Sequence, residues 1–216
     1  MRVERRIDVP LRTHGGAGAG EDRSGRERIH FLGDLRENGM RIGFGYDSHR
    51  LTAGRRLVLG GKEIPHEKGL LGNSDADVLI HAVCDAILGA VGAGDIGRQF
   101  PDTDPDYRDI SSLVLLERVR ALAAARGYQV CNVDSTIVLE KPKLAPHLPA
   151  MAENIAGVLR IPLGRVSIKA KTNEGMGLVG AGEGAAAFAV VLVEGENAPL
   201  TKHLAILTEI HPFNRK

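Results

Sequence analysis

An α/β (α+β) domain, one compact unit with a mixed sheet covered by helices, is the fold class this sequence predicts. Three observations carry the prediction. Short β-branched runs alternate with apolar stretches of helical length. Apolar residues make up 43% and charged residues 25% of 216 residues, the composition of an ordinary globular protein with enough chain for one good core. The alternation is confined to about residues 40–194, because the flanks differ in composition.

Residues 1–39 hold many Arg, no Lys and the run Gly15-Gly16-Ala17-Gly18-Ala19-Gly20, and are expected to be a disordered extension. Met40 stands directly before a patterned strand, Arg41–Tyr46, where the working domain is expected to begin. Arg56–Ile64 reads as a hairpin-like pair around Gly60-Gly61. Ser74 to about Val91 reads as a helix, with Ser74 as N-cap and Asp77 three residues on, ended by Gly92 and Gly94. Ile110–Arg126 is a second helix, stopped by Gly127. Tyr128–Leu139 has strand character through Val130, Val133, Ile137 and Val138. A third helix spans Ala150–Arg160 after a Pro-rich loop, and Val166–Ala170 and Ala186–Val193 are further strands. Residues 195–216 are polar, carry Pro199 and Pro212, and read as a peripheral tail.

The bulk numbers exclude several function classes. A formal net charge of +1 gives no broad electrostatic footprint for nucleic acid or an anionic membrane. Aromatics are 4% with no Trp, too few for a base-stacking platform. No apolar run reaches the ~20 residues that span a bilayer. The Arg-rich N-terminus also carries Glu4, Asp8, Glu21, Asp22 and Glu27, unlike an acid-poor transit peptide, and it lacks the apolar core of a secretory signal. The cysteines Cys84 and Cys131 lie far apart in apolar surroundings and read as lone buried thiols, which fits a reducing cytoplasm.

The chemistry begins with Asp47 and His49. Two residues apart on a strand end, they leave from one face with Cα atoms ~7 Å apart, which suits two ligands converging on one cation. On the apolar helix that follows, Asp77, His81 and Asp85 recur at i, i+4 and i+8 and so share a face. Polar groups on a buried helix need partners, and a metal with carboxylates behind its ligands would satisfy them together. An Asp47/His49/His81 set suits Zn²⁺ at ~2.0–2.2 Å and leaves a fourth position open. The same spacing also fits a satisfied core histidine beside an ordinary strand-end polar pair, so spacing alone leaves both readings standing.

Four further stretches could carry chemistry. Gly92–Gly97 lets backbone approach a ligand closely, and also reads as a helix cap and turn. Phe100–Asp106 is an acidic loop that could face a cation or sugar hydroxyls, or only solvent. Glu140–Pro146 is a rigid loop with lysines and free backbone groups. Lys169-Ala170-Lys171-Thr172-Asn173-Glu174 leads into Gly175, Gly177, Gly180, Gly182 and Gly184; cations, a hydroxyl and a carboxylate before a glycine-rich turn suit a metal-bound diphosphate. It lacks the spacing of a P-loop.

Taken in order, Arg41-Ile42-Gly43-Phe44-Gly45-Tyr46-Asp47-Ser48-His49, Lys68-Gly69-Leu70-Leu71, Ser74-Asp75-Ala76-Asp77-Val78, His81, Gly94-Asp95-Ile96-Gly97, Phe100–Asp104, Asn132-Val133-Asp134 and Gly182-Glu183-Gly184 resemble the 2-C-methyl-D-erythritol 2,4-cyclodiphosphate synthase family of the non-mevalonate isoprenoid pathway. The resemblance covers about residues 40–194. It implies a homotrimer with active sites between neighbours, acting on 4-diphosphocytidyl-2-C-methyl-D-erythritol 2-phosphate and releasing CMP. It implies Zn²⁺, or another divalent cation, on Asp47, His49 and His81, and Mg²⁺ or Mn²⁺ with the substrate diphosphate on Glu174. It places Asp47, His49, Asn73, Ser74, Phe100 and Asp104 against the substrate, Asp95 and Gly97 at the ribose, and Asp102 at the methylerythritol hydroxyls. Pro142 and Lys143 would clasp the cytidine, and Thr172 and Asn73 would steady the phosphates as charge shifts.

Two positions depart from the family pattern. Asn73 stands where many members have His, and it can donate a hydrogen bond but carry no charge. Ala181 stands where some members have Arg facing a trimer-axis cavity that binds isoprenoid diphosphates, so such binding is not expected here. The competing readings are a zinc-dependent phosphohydrolase on a similar scaffold and a non-catalytic nucleotide-binding module.

Overall fold

The computed structural model describes residues 39–195. The expected disorder of the N-terminal extension and the character of the C-terminal tail lie outside the described residues, except that Gly195, assigned to the tail from sequence, closes the last strand.

The chain builds a five-stranded mixed sheet in the order β4-β1-β7-β5-β6 and a separate two-stranded hairpin, β2-β3. The strands are β1 (Arg41–Ala53), β2 (Leu57–Leu59), β3 (Lys62–Ile64), β4 (Lys68–Leu70), β5 (Tyr128–Val138), β6 (Val166–Lys171) and β7 (Gly184–Gly195). The helices are α1 (Val78–Ala90), the short α2 (Ile96–Gln99), α3 (Ser112–Ala125), α4 (Leu148–Leu159) and the short α5 (Gly177–Gly180). Only β5 and β6 run parallel; β1 pairs antiparallel with β4 and β7, and β7 antiparallel with β5. The mixed sheet covered by helices agrees with the sequence expectation.

Helix α1 lies across β1 and β7, α3 packs on α1, and α4 packs on α3 and β6. Eleven residues of α1 are buried, from Val78 to Ala90, so this helix is the centre of the core. The close approach of α1 to β1 depends on two glycines. A Cβ on Gly43 would sit 1.7 Å from the Ala86 carbonyl oxygen, and one on Gly45 1.9 Å from that of Ala82. Any side chain there would lift the helix.

Several boundaries differ from the sequence reading. β1 continues to Ala53, so Asp47 and His49 sit inside a strand, paired with Ala187 and Ala185 of β7. The polar residues Ser48 and Arg50 face solvent from that strand and mask its continuation. Asp77, not Ser74, is the N-cap of α1, accepting hydrogen bonds from the Leu79 and Ile80 amides. Ala76 has φ of 57°, a left-handed conformation that no helix can include, so the helix begins after it. Strand β4 and helix α2 were not anticipated. The hairpin turn is as expected, with Gly60 and Gly61 both at positive φ, as a two-residue turn between right-twisted strands requires.

Cys84 and Cys131 are free, buried thiols. Among the described residues no helix is long and apolar enough to cross a membrane. The face of the sheet opposite α1 is apolar and exposed: Ile42, Phe44 and Tyr46 of β1 stand beside Phe188 and Val190 of β7, with Phe188 5.0 Å from Tyr46 and 6.4 Å from Phe44 between ring centroids.

A candidate metal centre in a polar cleft

Alternation along β1 turns Gly43, Gly45, Asp47 and His49 toward the helices. The glycines let α1 settle onto the strand, and His81, at the fourth position of α1, comes down over Asp47. Asp47 Oδ2 lies 2.9 Å from His81 Nδ1 and 3.1 Å from His49 Nε2, and the two nitrogens are 3.2 Å apart. A tetrahedral cation with bonds of ~2.0–2.1 Å holds its ligand atoms ~3.3 Å from one another. The three donor atoms therefore already stand close to the edges of one tetrahedral face. The donor chemistry agrees, since two imidazole nitrogens and a carboxylate oxygen converging on one point are ligand atoms that a divalent cation takes. The group could hold a divalent metal.

The electrostatics follow from the same geometry. Burial alone would raise the Asp47 carboxyl, but hydrogen bonds from His49 and His81, together with their charge, hold it well below the usual carboxylate range. Burial alone would lower His81, but the Asp47 hydrogen bond and charge, with Asp77 and Asp75 behind, raise it above its ordinary value. The site thus favours positive charge at its centre.

The expected carboxylates behind the ligands are corrected in identity. Asp77 spends both oxygens on backbone amides, those of Leu79, Ile80 and Gly61, and burial pushes its carboxyl up to about 6. Asp85 accepts from the Ile96 amide. Neither is hydrogen-bonded to His81. Its far nitrogen, Nε2, is instead 2.9 Å from Ser112 Oγ and 3.2 Å from Ser74 Oγ, and the Ser112 hydroxyl donates to Asp75 Oδ1. Sequence reasoning missed Ser112 and this role of Asp75. They lie 37 residues apart, and no local pattern joins them.

A cavity of about 230 Å³ opens beside the donor triangle, lined by Asp47, His49, Asn73, Ser74, Gly97, Phe100 and Asp102 among others. Seven predicted site residues are thus gathered with His81. The loop carrying Asn73 and Ser74 is pinned: Arg55 donates to the Gly72 and Ser74 carbonyls at 3.1 and 3.0 Å, and the Asp109 amide donates to the Asn73 carbonyl.

The other predicted residues are placed differently. Asp95 caps α2 through the Arg98 amide, and Asp104 caps the turn at Pro105–Tyr107 through the Asp106 amide. Thr172, Glu174, Pro142 and Lys143 do not line this cavity. The register explains why: Asp47 pairs with Ala187, Ala187 with Ile137, and Ile137 with Ala170. Three strand spacings of ~4.8 Å put the end of β6 ~14 Å from Asp47. There Thr172 donates to Glu174 at 2.5 Å, and Glu140 braces their turn by accepting from the Asn173 amide.

Comparison with known proteins agrees with this architecture. The chain is 60% identical over 157 residues to 2-C-methyl-D-erythritol 2,4-cyclodiphosphate synthase of Pelobacter propionicus, covering 73% of this chain and 99% of that protein. A solved 2C-methyl-D-erythritol-2,4-cyclodiphosphate synthase in a CDP-bound form superposes with a TM-score of 0.67 at 43% identity, over 71% of this chain and all of that one. The bifunctional IspDF of Campylobacter jejuni superposes with a TM-score of 0.70 at 37% identity over 73% of this chain, which spans 43% of that longer protein. Residues 40–194 match the YgbB family from end to end of the folded unit, and the chain belongs to that family.

Proposed function

We propose that the chain is a 2-C-methyl-D-erythritol 2,4-cyclodiphosphate synthase, a lyase of isoprenoid precursor biosynthesis. It converts 4-diphosphocytidyl-2-C-methyl-D-erythritol 2-phosphate to the 2,4-cyclodiphosphate and CMP. The observation that carries the reading is the Asp47–His49–His81 donor triangle beside a polar cleft, in a chain so similar along its folded length to a protein of that name.

The reaction is an internal phosphoryl transfer. An oxygen of the 2-phosphate bonds to the β-phosphorus, the bond from that phosphorus to the bridging oxygen breaks, and CMP leaves with the electron pair. Such a step needs positioning and charge neutralisation more than an enzyme nucleophile. Asp47, His49 and His81 would hold Zn²⁺, or another divalent cation, and Glu174 would hold Mg²⁺ or Mn²⁺ with the diphosphate. These ions supply positive charge to phosphate oxygens. The Asn73 amide and Ser74 hydroxyl donate to the phosphate end of the substrate from the pinned loop. Gly97 and Asp95 receive the ribose, and Phe100, Asp102 and Asp104 hold the methylerythritol unit. Thr172 donates to the diphosphate as its charge shifts, and Pro142 and Lys143 enclose the cytidine.

One copy does not gather all these residues, since β6 ends ~14 Å from Asp47. The exposed apolar sheet face, with Ile42 72% and Phe44 64% exposed, supports burial against other copies. A homotrimer built on that face brings the Thr172–Glu174 turn of one copy to the donor triangle of the next. Incubation with the diphosphocytidyl substrate and ³¹P NMR of the products tests the assignment. CMP and a cyclic diphosphate are expected, and inorganic phosphate or linear products would overturn it in favour of a phosphohydrolase.

A further inference from the structure

We propose that Ser112 and Asp75 form a positioning relay that fixes which nitrogen of His81 faces the cation. The inference rests on reading the Asp47–His49–His81 cluster as a cation site, and adds residues that no ligand set includes.

The relay follows from counting donors. Asp75 receives two hydrogen bonds from Ser112, one from its amide at 2.9 Å into Oδ2 and one from its hydroxyl into Oδ1. The hydroxyl proton of Ser112 is thus committed to a carboxylate, which can only accept. Its oxygen keeps a lone pair, and the group 2.9 Å away is His81 Nε2. That lone pair can be satisfied only by an Nε2 proton. A neutral imidazole with its proton on Nε2 presents a bare lone pair at Nδ1, and Nδ1 is the atom aimed at Asp47 Oδ2 and His49 Nε2. The chain Asp75, Ser112, His81 therefore has one polarity, and that polarity makes His81 a ligand through Nδ1. Ser112 is fully buried and His81 8% exposed, so water does not compete for these bonds. Ser74 Oγ, at 3.2 Å from the same nitrogen, accepts from the Ala76 amide and keeps a second lone pair that an Nε2 proton can also reach. The bland alternative is that Asp75 merely caps the N-terminus of α3 through the Ser112 amide, with the hydroxyl incidental.

Two substitutions separate these roles. Ser112→Ala deletes the hydroxyl and leaves the Asp75 cap on the amide. Asp75→Asn is near-isosteric, but an amide cannot accept at both atoms. With its oxygen on the Ser112 amide, its NH₂ faces the hydroxyl, which must then donate toward His81 and reverse the polarity. The experiment strips metal from the full chain and measures zinc affinity by competition with a chromophoric chelator, beside thermal unfolding of the metal-free protein. Each variant is expected to bind zinc 10–100-fold more weakly than the parent. The double variant should be no worse than the weaker single one, because both break one unit. The Nε2 proton of His81 should give a slowly exchanging NMR signal in the zinc-loaded parent and not in the zinc-loaded Ser112→Ala variant. Zinc affinity of Ser112→Ala within twofold of the parent, whatever its melting temperature, would overturn the relay and leave Asp75 as a cap. Multiplying losses in the double variant would overturn it too. Failure of the parent itself to bind zinc would defeat the cation-site reading and the relay with it.

Discussion

Gly45→Ala is a sharp perturbation of this fold, because it adds one methyl group between the two elements that carry the metal-binding residues. The new Cβ would stand 1.9 Å from the Ala82 carbonyl oxygen, 2.7 Å from the Ala86 amide nitrogen and 2.9 Å from the Ala82 carbonyl carbon. All three are backbone atoms, so no side chain can swing aside. Ordinary contact begins near 3.4 Å, so α1 must lift from β1 by about 1.5 Å. His81 adjoins Ala82 and moves with it, while Asp47 and His49 stay on β1. A 2.9 Å donor separation then opens to roughly 4 Å, too wide for one tetrahedral cation. Overpacking costs about 1–3 kcal/mol, a fall of roughly 2–12 °C in melting temperature for a domain of this size. Displacement of this order costs about 100-fold in turnover. The assay pairs CMP release with calorimetry, and Gly157→Ala is the control. Gly157 sits within α4 with open space around its Cβ position, so alanine there should add up to about 1 kcal/mol of stability and leave turnover alone. A Gly45→Ala protein with the parent's turnover and melting temperature would refute the close approach of α1 to β1.

Three further outcomes follow from the same geometry. His81 is raised above 6.5 and Asp77 from 3.8 to about 6, so each contributes stability that is full below its ordinary value and lost as pH rises through its raised one. Asp47, lowered, contributes the opposite way and loses its share only in strong acid. Metal-free protein should therefore melt at falling temperature as pH rises from about 4 through about 6 with Asp77, and again above 6.5 with His81, and zinc loading should flatten the slope above 6.5 because the cation replaces the His81 proton; a rising trend without metal contradicts this assignment. Phe188→Asp, placed among Phe44 and Tyr46 on the exposed sheet face, should give a folded monomer by light scattering and circular dichroism, with turnover lost; an intact oligomer would exclude that face as the interface. Asn73→His should raise kcat about fivefold, because a charged donor adds about 1 kcal/mol over a neutral one, and an unchanged or lower kcat would show that charge at this position is not limiting.

Much of the site was legible because its residues obey local periods. Asp47 and His49 share a strand face by spacing of two, and His81 stood out as a polar residue on an apolar helix. The Gly60-Gly61 hairpin was readable because two positive-φ positions call for glycine. What failed were features decided by distant partners. β1 runs on past Tyr46 because β7 pairs with it as far as Arg50, which no property of Ser48 or Arg50 reveals. Asp77 shared the helical period of His81, yet the left-handed Ala76 makes it a cap bound to backbone amides. Ser112 reaches His81 only because α3 packs on α1, and the ~14 Å between Asp47 and Thr172 follows from strand order, which sequence spacing does not encode.

Under the proposed homotrimer, a working site takes the donor triangle from one copy and the Thr172–Glu174 turn from another. Mixing two inactive proteins tests it most directly: His81→Ala, which lacks the triangle, and a Thr172→Ala/Glu174→Ala variant, which lacks the turn. Unfolded and refolded together at equal amounts, random trimers pair an intact triangle with an intact turn at about a quarter of their interfaces. The mixture should recover roughly that fraction of the parent's CMP release. A mixture as inactive as its two components, with trimers shown to have exchanged subunits, would contradict it.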